Sequence, residues 1–227
     1  MTDKKQDFQV RRSLLTGMGV AAAGAVAGAG TANAQGRGFQ PTRRDSDAWM
    51  DEGSHDHRVW IDTSYGTGGL EAMHYANNIL SAYADVDSGE DSDYGMVICW
   101  RHYCTPLGYE DPVWKKYGEI FSAVMGIMDP QSGEAFTVNP ANIPGRMDMD
   151  NGGDTIDKMR GRHVTFALCN AATRWYSGYI AGETGGNAKE IYEEFVAAAI
   201  PNSRFVHAGV FATTRAQEYG YSLLYAG

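Results

Sequence analysis

Cysteine is scarce in this 227-residue chain: there are three, too few for a disulfide scaffold, and the odd number leaves at least one thiol unpaired within a monomer. Proline is scarce too, 7 against 28 glycines, which describes a loop-rich chain but not a low-complexity one. Positive charge is in short supply. Nineteen Lys and Arg face 28 Asp and Glu, a formal net charge of −9, so the electrostatic footprint of a nucleic-acid binder is missing. No long, strongly apolar stretch suited to spanning a bilayer occurs. The chain also lacks a Gly-Lys-Ser/Thr phosphate loop, a Gly-x-Ser-x-Gly elbow and a His-Glu-x-x-His helix, so P-loop enzymes and the common exported hydrolases gain no support. What is there is 43% hydrophobic and 21% charged, a globular composition sized for one domain.

The first 34 residues predict an address. Arg11 and Arg12 precede the weakly apolar Leu14–Val20, and a Gly/Ala-rich stretch runs on to Ala32-Asn33-Ala34. A charged start, an apolar middle and an Ala-x-Ala site make a cleavable export signal. The paired arginines resemble the twin-arginine class, although Leu14 stands where that class usually has Phe. Cleavage would remove four basic and two acidic side chains, leaving a more acidic protein with no membrane attachment. In an oxidising compartment a thiol needs a reason to stay free.

Residues 35–57 show no apolar period and read as an N-terminal arm; residues 58–227 read as the domain. Arg58–Thr63 is β-type. The glycines of Gly66-Thr67-Gly68-Gly69 lead into a helical stripe at Leu70, Met73, Asn77 and Leu80. Gly95–Trp100 is an almost wholly apolar strand, suited to a parallel sheet covered on both faces. Asp111-Pro112 starts a helix. Residues 126–154 interrupt the rhythm with Gly, Pro, Asn and Asp, and Thr155–Arg160 reads as a helical turn, the whole forming an insertion at about 126–160. His163–Leu168 is a strand ending at Cys169-Asn170, Ala188–Ile200 an amphipathic helix, and Arg204–Ala212 the last strand. Thr213-Thr214 would cap a closing helix through Leu224. This alternation predicts an α/β sandwich around a mostly parallel sheet.

In such sheets ligands bind beyond the carboxyl ends of the strands. Thr63, Ser64, His102, Cys104, Cys169 and His207 fall at or near those ends. Cys169 stands out because a thiol at a strand-to-helix turn meets unpaired N–H groups and the positive end of the helix dipole, which favours the nucleophilic thiolate. A buried, inert cysteine is the competing reading. Cys99 and Cys104 form a C-x4-C pair that either bridges or does not, and without a second pair it makes a poor zinc site. His55 and His57, beside Asp51, Glu52 and Asp56, either bind a metal or decorate a solvated arm. The 66–69 glycines either cradle a phosphate or simply permit a tight turn into the helix.

Three separated segments carry a family likeness. The helix Gly69–Leu80, the strand Phe166-Ala167-Leu168-Cys169-Asn170, and the closing run from Val206-His207-Ala208-Gly209 to Tyr219-Gly220-Tyr221 resemble, in order, parts of DsrE/DsrF-like proteins. The likeness spans roughly residues 58–225. It implies a three-layer, flavodoxin-like α/β/α fold, a homo-oligomer, and for some members sulfur relay through a persulfide, with Cys169 in the position of the sulfur acceptor. The 126–160 segment and the export signal depart from the small cytoplasmic members, so an exported version would draw on other thiol or inorganic sulfur donors and acceptors.

The leading expectation is therefore a periplasmic or otherwise exported sulfur carrier or sulfurtransferase-type relay using Cys169, with His102 or His207 as candidates for proton transfer. No resident cofactor or metal is expected. The alternative is a non-enzymatic small-ligand-binding module whose cleft uses the glycine turn with Trp100, Tyr103 and Trp175. A third option is metal carriage by His55 and His57 with Cys104 or His102.

Overall fold

The computed structural model describes residues 40–145 and 153–227. In it the apolar run at 95–100 becomes strand β2 (Tyr94–Trp100), the middle member of a five-stranded sheet. Strands β1 (His57–Thr63), β3 (Thr165–Cys169), β4 (Ser203–Val206) and β5 (Ser222–Ala226) all run parallel, in the spatial order β4-β3-β2-β1-β5. The expected export signal over 1–34 lies outside the described residues, as do positions 146–152 of the expected insertion. All the elements below belong to the unit Arg43–Gly227.

The order dictates the layers. From β1 to β4 each step moves the same way across the sheet, so right-handed crossovers place their helices on one face. These are α1 (Gly66–Asp87), α2 (Asp111–Met125), the short α3 (Ile156–Gly161), α4 (Asn170–Thr184) and α5 (Ala188–Ala197). The return from β4 to β5 runs back across the whole sheet and puts α6 (Gly209–Glu218) on the other face. Strand alternation sorts the side chains accordingly. Ile61, Met96, Ile98, Trp100, Phe166 and Leu168 pack with the larger helical layer. Trp60, Val97, Cys99, Ala167 and Val206 pack with Ala212, Ala216 and Met50. The result is the three-layer α/β/α sandwich.

Three segments differ from the sequence expectation. Part of the supposed arm is structured: Asp45–Asp51 is a 3-10 helix that buries Met50 against the sheet, while the buried Asp47 accepts from Arg215 Nε at 2.9 Å. The 126–160 segment joins the core through Ile127, Phe136, Ile156 and Met159, and Asn139 Nδ2 donates to the carbonyls of Leu107 and Tyr109. Finally, the stretch read as one strand and a closing helix is β4, α6 and β5. The helix begins at Gly209, and Gly220, at φ +83°, turns the chain into a fifth strand.

Candidate functional site

The carboxyl ends of β3 and β4 lead to helices on opposite faces of the sheet, α4 on one and α6 on the other. Such a divergence opens a crevice, the place where α/β sheets bind ligands. A cavity of about 480 Å³ lies there, lined by residues of three segments: Arg101, His102 and Tyr103 after β2; Cys169, Ala172 and Trp175 at the start of α4; and Ala208, Gly209 and Val210 at the start of α6.

Cys169 is the last residue of β3 and the N-cap of α4. Its Sγ accepts the Ala172 N–H at 3.4 Å, the capping bond of α4, and the Gly209 N–H at 3.2 Å, from the first residue of α6. Two helix N-termini therefore converge on one sulfur, and both favour negative charge there. The side chain is 6% exposed and its access is through the cavity. Gly209 is required for this approach, because a Cβ there would stand 2.4 Å from Arg101 Cβ.

The segment after β2 is fixed from several sides. Arg101 donates from Nε and Nη2 to the two carboxylate oxygens of Asp62 at 2.7 and 2.8 Å. Asp62 also accepts the Thr213 hydroxyl at 3.1 Å, and Thr213 Oγ1 in turn accepts from Trp60 Nε1. His102 adopts a left-handed backbone, φ +56°, and its exposed ring lies 3.8 Å from that of Tyr103, centroid to centroid. The Tyr103 carbonyl accepts from Tyr176 Oη at 2.8 Å. Trp175, 48% exposed, meets Tyr103 edge-on and stacks on Tyr179, giving the cavity an aromatic wall.

The other two thiols are of a different kind. Cys99 packs on the α6 side of the sheet and Cys104 in the opposite core, so both are free and face away from each other. Burial pushes the Cys104 thiol up to about 12; its Sγ donates to the Arg101 carbonyl and lies 2.9 Å from Thr63 Oγ1. Burial likewise holds Cys99 well above the ordinary thiol range, with nearby Asp62 adding to it. Both are neutral structural cysteines at neutral pH.

The remaining candidates scatter. His207 is exposed, is not among the residues lining the cavity, and contributes its carbonyl to the Ala171 N–H. Ser64 Oγ lies 2.7 Å from Tyr225 Oη. Trp100, proposed for the cleft, is instead fully buried, donating to the Gly69 carbonyl and stacking on Phe166. The 66–69 glycines serve close packing: a Cβ on Gly68 would lie 2.4 Å from the Ala226 carbonyl oxygen, and one on Gly69 2.6 Å from Leu107. His55 Nδ1 contacts the Ser92 carbonyl, while His57 stacks on Tyr94. Both histidines sit at the amino end of β1, a strand's length from His102 and Cys104, which removes the metal-carriage constellation. No group of three or more His, Cys, Asp or Glu among the described residues is arranged to hold a metal ion.

A second hollow of about 510 Å³ opens at the amino end of the sheet, among Trp49, His55, Tyr94, Arg160 and Arg204. It contains no cysteine, whereas the crevice holds Cys169, which makes the crevice the candidate site. No described helix is long and apolar enough to cross a membrane. The chain matches no family model, no curated protein and no solved structure.

Proposed function

We propose that this is an exported DsrE/DsrF-like protein that carries sulfane sulfur as a persulfide on Cys169. The observation that carries the proposal is the sulfur's placement: one cysteine, at the crevice between β3 and β4, facing a cavity and accepting N–H groups from the first turns of α4 and α6. Those donors favour negative charge on the attacking sulfur itself. In the loading step the thiolate attacks the outer sulfur of a donor such as thiosulfate. A new S–S bond forms to Cys169, the bond inside the donor breaks, and its electron pair leaves on sulfite. Transfer onward is the same displacement by an acceptor thiol, with no external oxidant or reductant. His102, at the cavity wall, is the histidine placed to exchange protons with the acceptor.

Export by the twin-arginine route, through the signal at 1–34, belongs to the same proposal, as does a homo-oligomer. The outer edge of β5, which pairs with no described strand, supports the latter: Leu223, Leu224 and Tyr225 are exposed on a strand with no lysine or proline to protect it. A second copy pairing along that edge would be self-complementary.

The aromatic wall of Tyr103 and Trp175 favours one other reading, a non-enzymatic ligand-binding module using the same cavity. Intact-mass spectra separate the two. Wild type exposed to polysulfide or thiosulfate gains a reductant-labile sulfur atom, and Cys169→Ala does not. Folded wild type that gains none, while a ligand raises its Tm, is a binding module.

A further inference from the structure

We propose that Arg101 is the specificity-determining residue of the Cys169 cavity, selecting sulfane donors that carry an oxyanion on an apolar body, the organic thiosulfonate class. This rests on the reading of Cys169 as a sulfur acceptor and extends it to the form of the donor.

Three observations converge. First, the guanidinium is preorganised. Asp62 engages Nε and Nη2, and Thr213 holds the carboxylate in turn. Nη1 makes no hydrogen bond to any described residue and is not sealed from solvent, on a residue that lines the cavity. A guanidinium with two nitrogens locked and one free is a fixed donor for a sulfonyl or carboxylate oxygen. The close approach of the Arg101 stem to Gly209 sets it beside the helix whose first N–H holds the sulfur.

Second, the lining selects a charge. The chain carries a net charge of −9, yet none of the described residues that line the cavity is acidic, and Asp62 is not among them. Third, the size selects a body. At about 480 Å³ the cavity falls within the small-molecule range of roughly 300–1,000 Å³, more than a bare inorganic anion fills. Trp175, Tyr103 and Val210 supply the apolar surface that such a body covers.

With a thiosulfonate, R–SO2–S⁻, the Cys169 thiolate attacks the outer sulfur. The S–S bond to the sulfonyl group breaks and its electron pair leaves on the sulfinate, R–SO2⁻. The cysteine sulfur is oxidised by one S–S bond and the sulfonyl sulfur is reduced to sulfinate. Two negative charges enter and two remain, with no further reactant.

The first test on the full chain needs no sulfur chemistry. Cys169 alkylation by iodoacetate and by iodoacetamide is followed by peptide mass, with glutathione as the reference thiol. The ratio of the two rates is expected to favour iodoacetate about tenfold more than glutathione does, the worth of one hydrogen bond to a charged group. Arg101→Gln is expected to abolish that preference while iodoacetamide still reacts. Asp62→Asn/Arg101→Gln, which leaves no uncompensated carboxylate, covers the case in which the single variant fails to fold. A ratio equal to that of glutathione, or one indifferent to Arg101 in folded protein, overturns the proposal.

The second arm compares benzenethiosulfonate with thiosulfate as the donor. Loading by benzenethiosulfonate is expected to be faster, relative to glutathione, and Trp175→Ala is expected to remove the advantage. Loading that ignores Arg101 overturns the donor class and leaves the carrier standing. No adduct from either donor, on a Cys169 that alkylates, overturns the carrier and the donor class with it, even if the charge preference holds.

Discussion

Gly209 and Cys169, forty residues apart in the chain, are joined by a 3.2 Å hydrogen bond from the backbone N–H of one to the sulfur of the other. The bond ties the first residue of α6 to the last of β3 and leaves no room for a larger residue at 209, where Arg101 packs against the backbone. Gly209→Ala should therefore shift the start of α6 away from the sulfur. The expected cost is about 1–3 kcal/mol of overpacking, read by urea unfolding, with slower alkylation of Cys169 at neutral pH. Unchanged stability and an unchanged rate would contradict the packing described.

The three thiols should separate by reactivity. At pH 7 an aromatic disulfide reagent is expected to titrate one thiol in the folded protein, Cys169, and all three in denaturant. Alkaline pH adds a second signature. In the unfolded chain a thiol ionises near its ordinary value, while Cys104 is held up to about 12 and Cys99 is also raised. Above about pH 9 the unfolded state therefore binds fewer protons than the folded one, and stability falls as pH rises, with full stability retained below that range. Each raised thiol contributes up to about 1.4 kcal/mol per pH unit. Cys104→Ala should show a shallower decline between pH 9 and 11 than wild type.

Met50→Ala should destabilise the protein by about 2–5 kcal/mol, as truncation at any well-packed core position does. The side chain is buried with Trp60 and Ala216, although it precedes the first strand. A change below half a kcal/mol in chemical denaturation would mean that Asp45–Asp51 does not belong to the folded unit.

Thr213→Val keeps the shape of the side chain and removes its hydroxyl, leaving the buried Trp60 Nε1 without its acceptor and Asp62 without one of its donors. The expected loss is about 1–3 kcal/mol. Because Asp62 orients Arg101, the iodoacetate preference at Cys169 should also weaken, whereas iodoacetamide should react as before.

Much of the fold was legible in local pattern. The apolar run at 95–100, the stripe from Leu70 and the Asp111-Pro112 start each stand where the sequence puts them, because a buried strand or an amphipathic helix writes its period into a short window. The closing segment was not. Val206 to Ala212 is apolar enough to read as one strand, and the break at Gly209 is imposed by packing on Arg101, which no local window contains. Gly220 was the available clue to β5, being followed by the β-type run Tyr221–Tyr225. At the site, Cys169 was visible from its strand-end position. Arg101 was not, because it meets the cavity only through the order of the strands and its pairing with Asp62. The sequence reading places both Trp100 and Trp175 in the cleft, although the first closes an apolar strand and the second follows the turn after Cys169. Strand alternation sends the first into the core and helix geometry leaves the second at the cavity.

The crossing from β4 back to β5 has a consequence for how the chain acquires its structure. β1 is the first strand made, yet one of its two neighbours is the last, Val59 lying opposite Ser222 and Thr63 opposite Ala226. During synthesis a four-stranded intermediate would expose the outer edge of β1 until residues 222–226 emerge. Closure of this pair spans nearly the whole domain, and long-range parallel pairing is slow. Until residues 222–226 pair with it, the outer edge of β1 is, with β4, one of two strand edges open to a wrong partner.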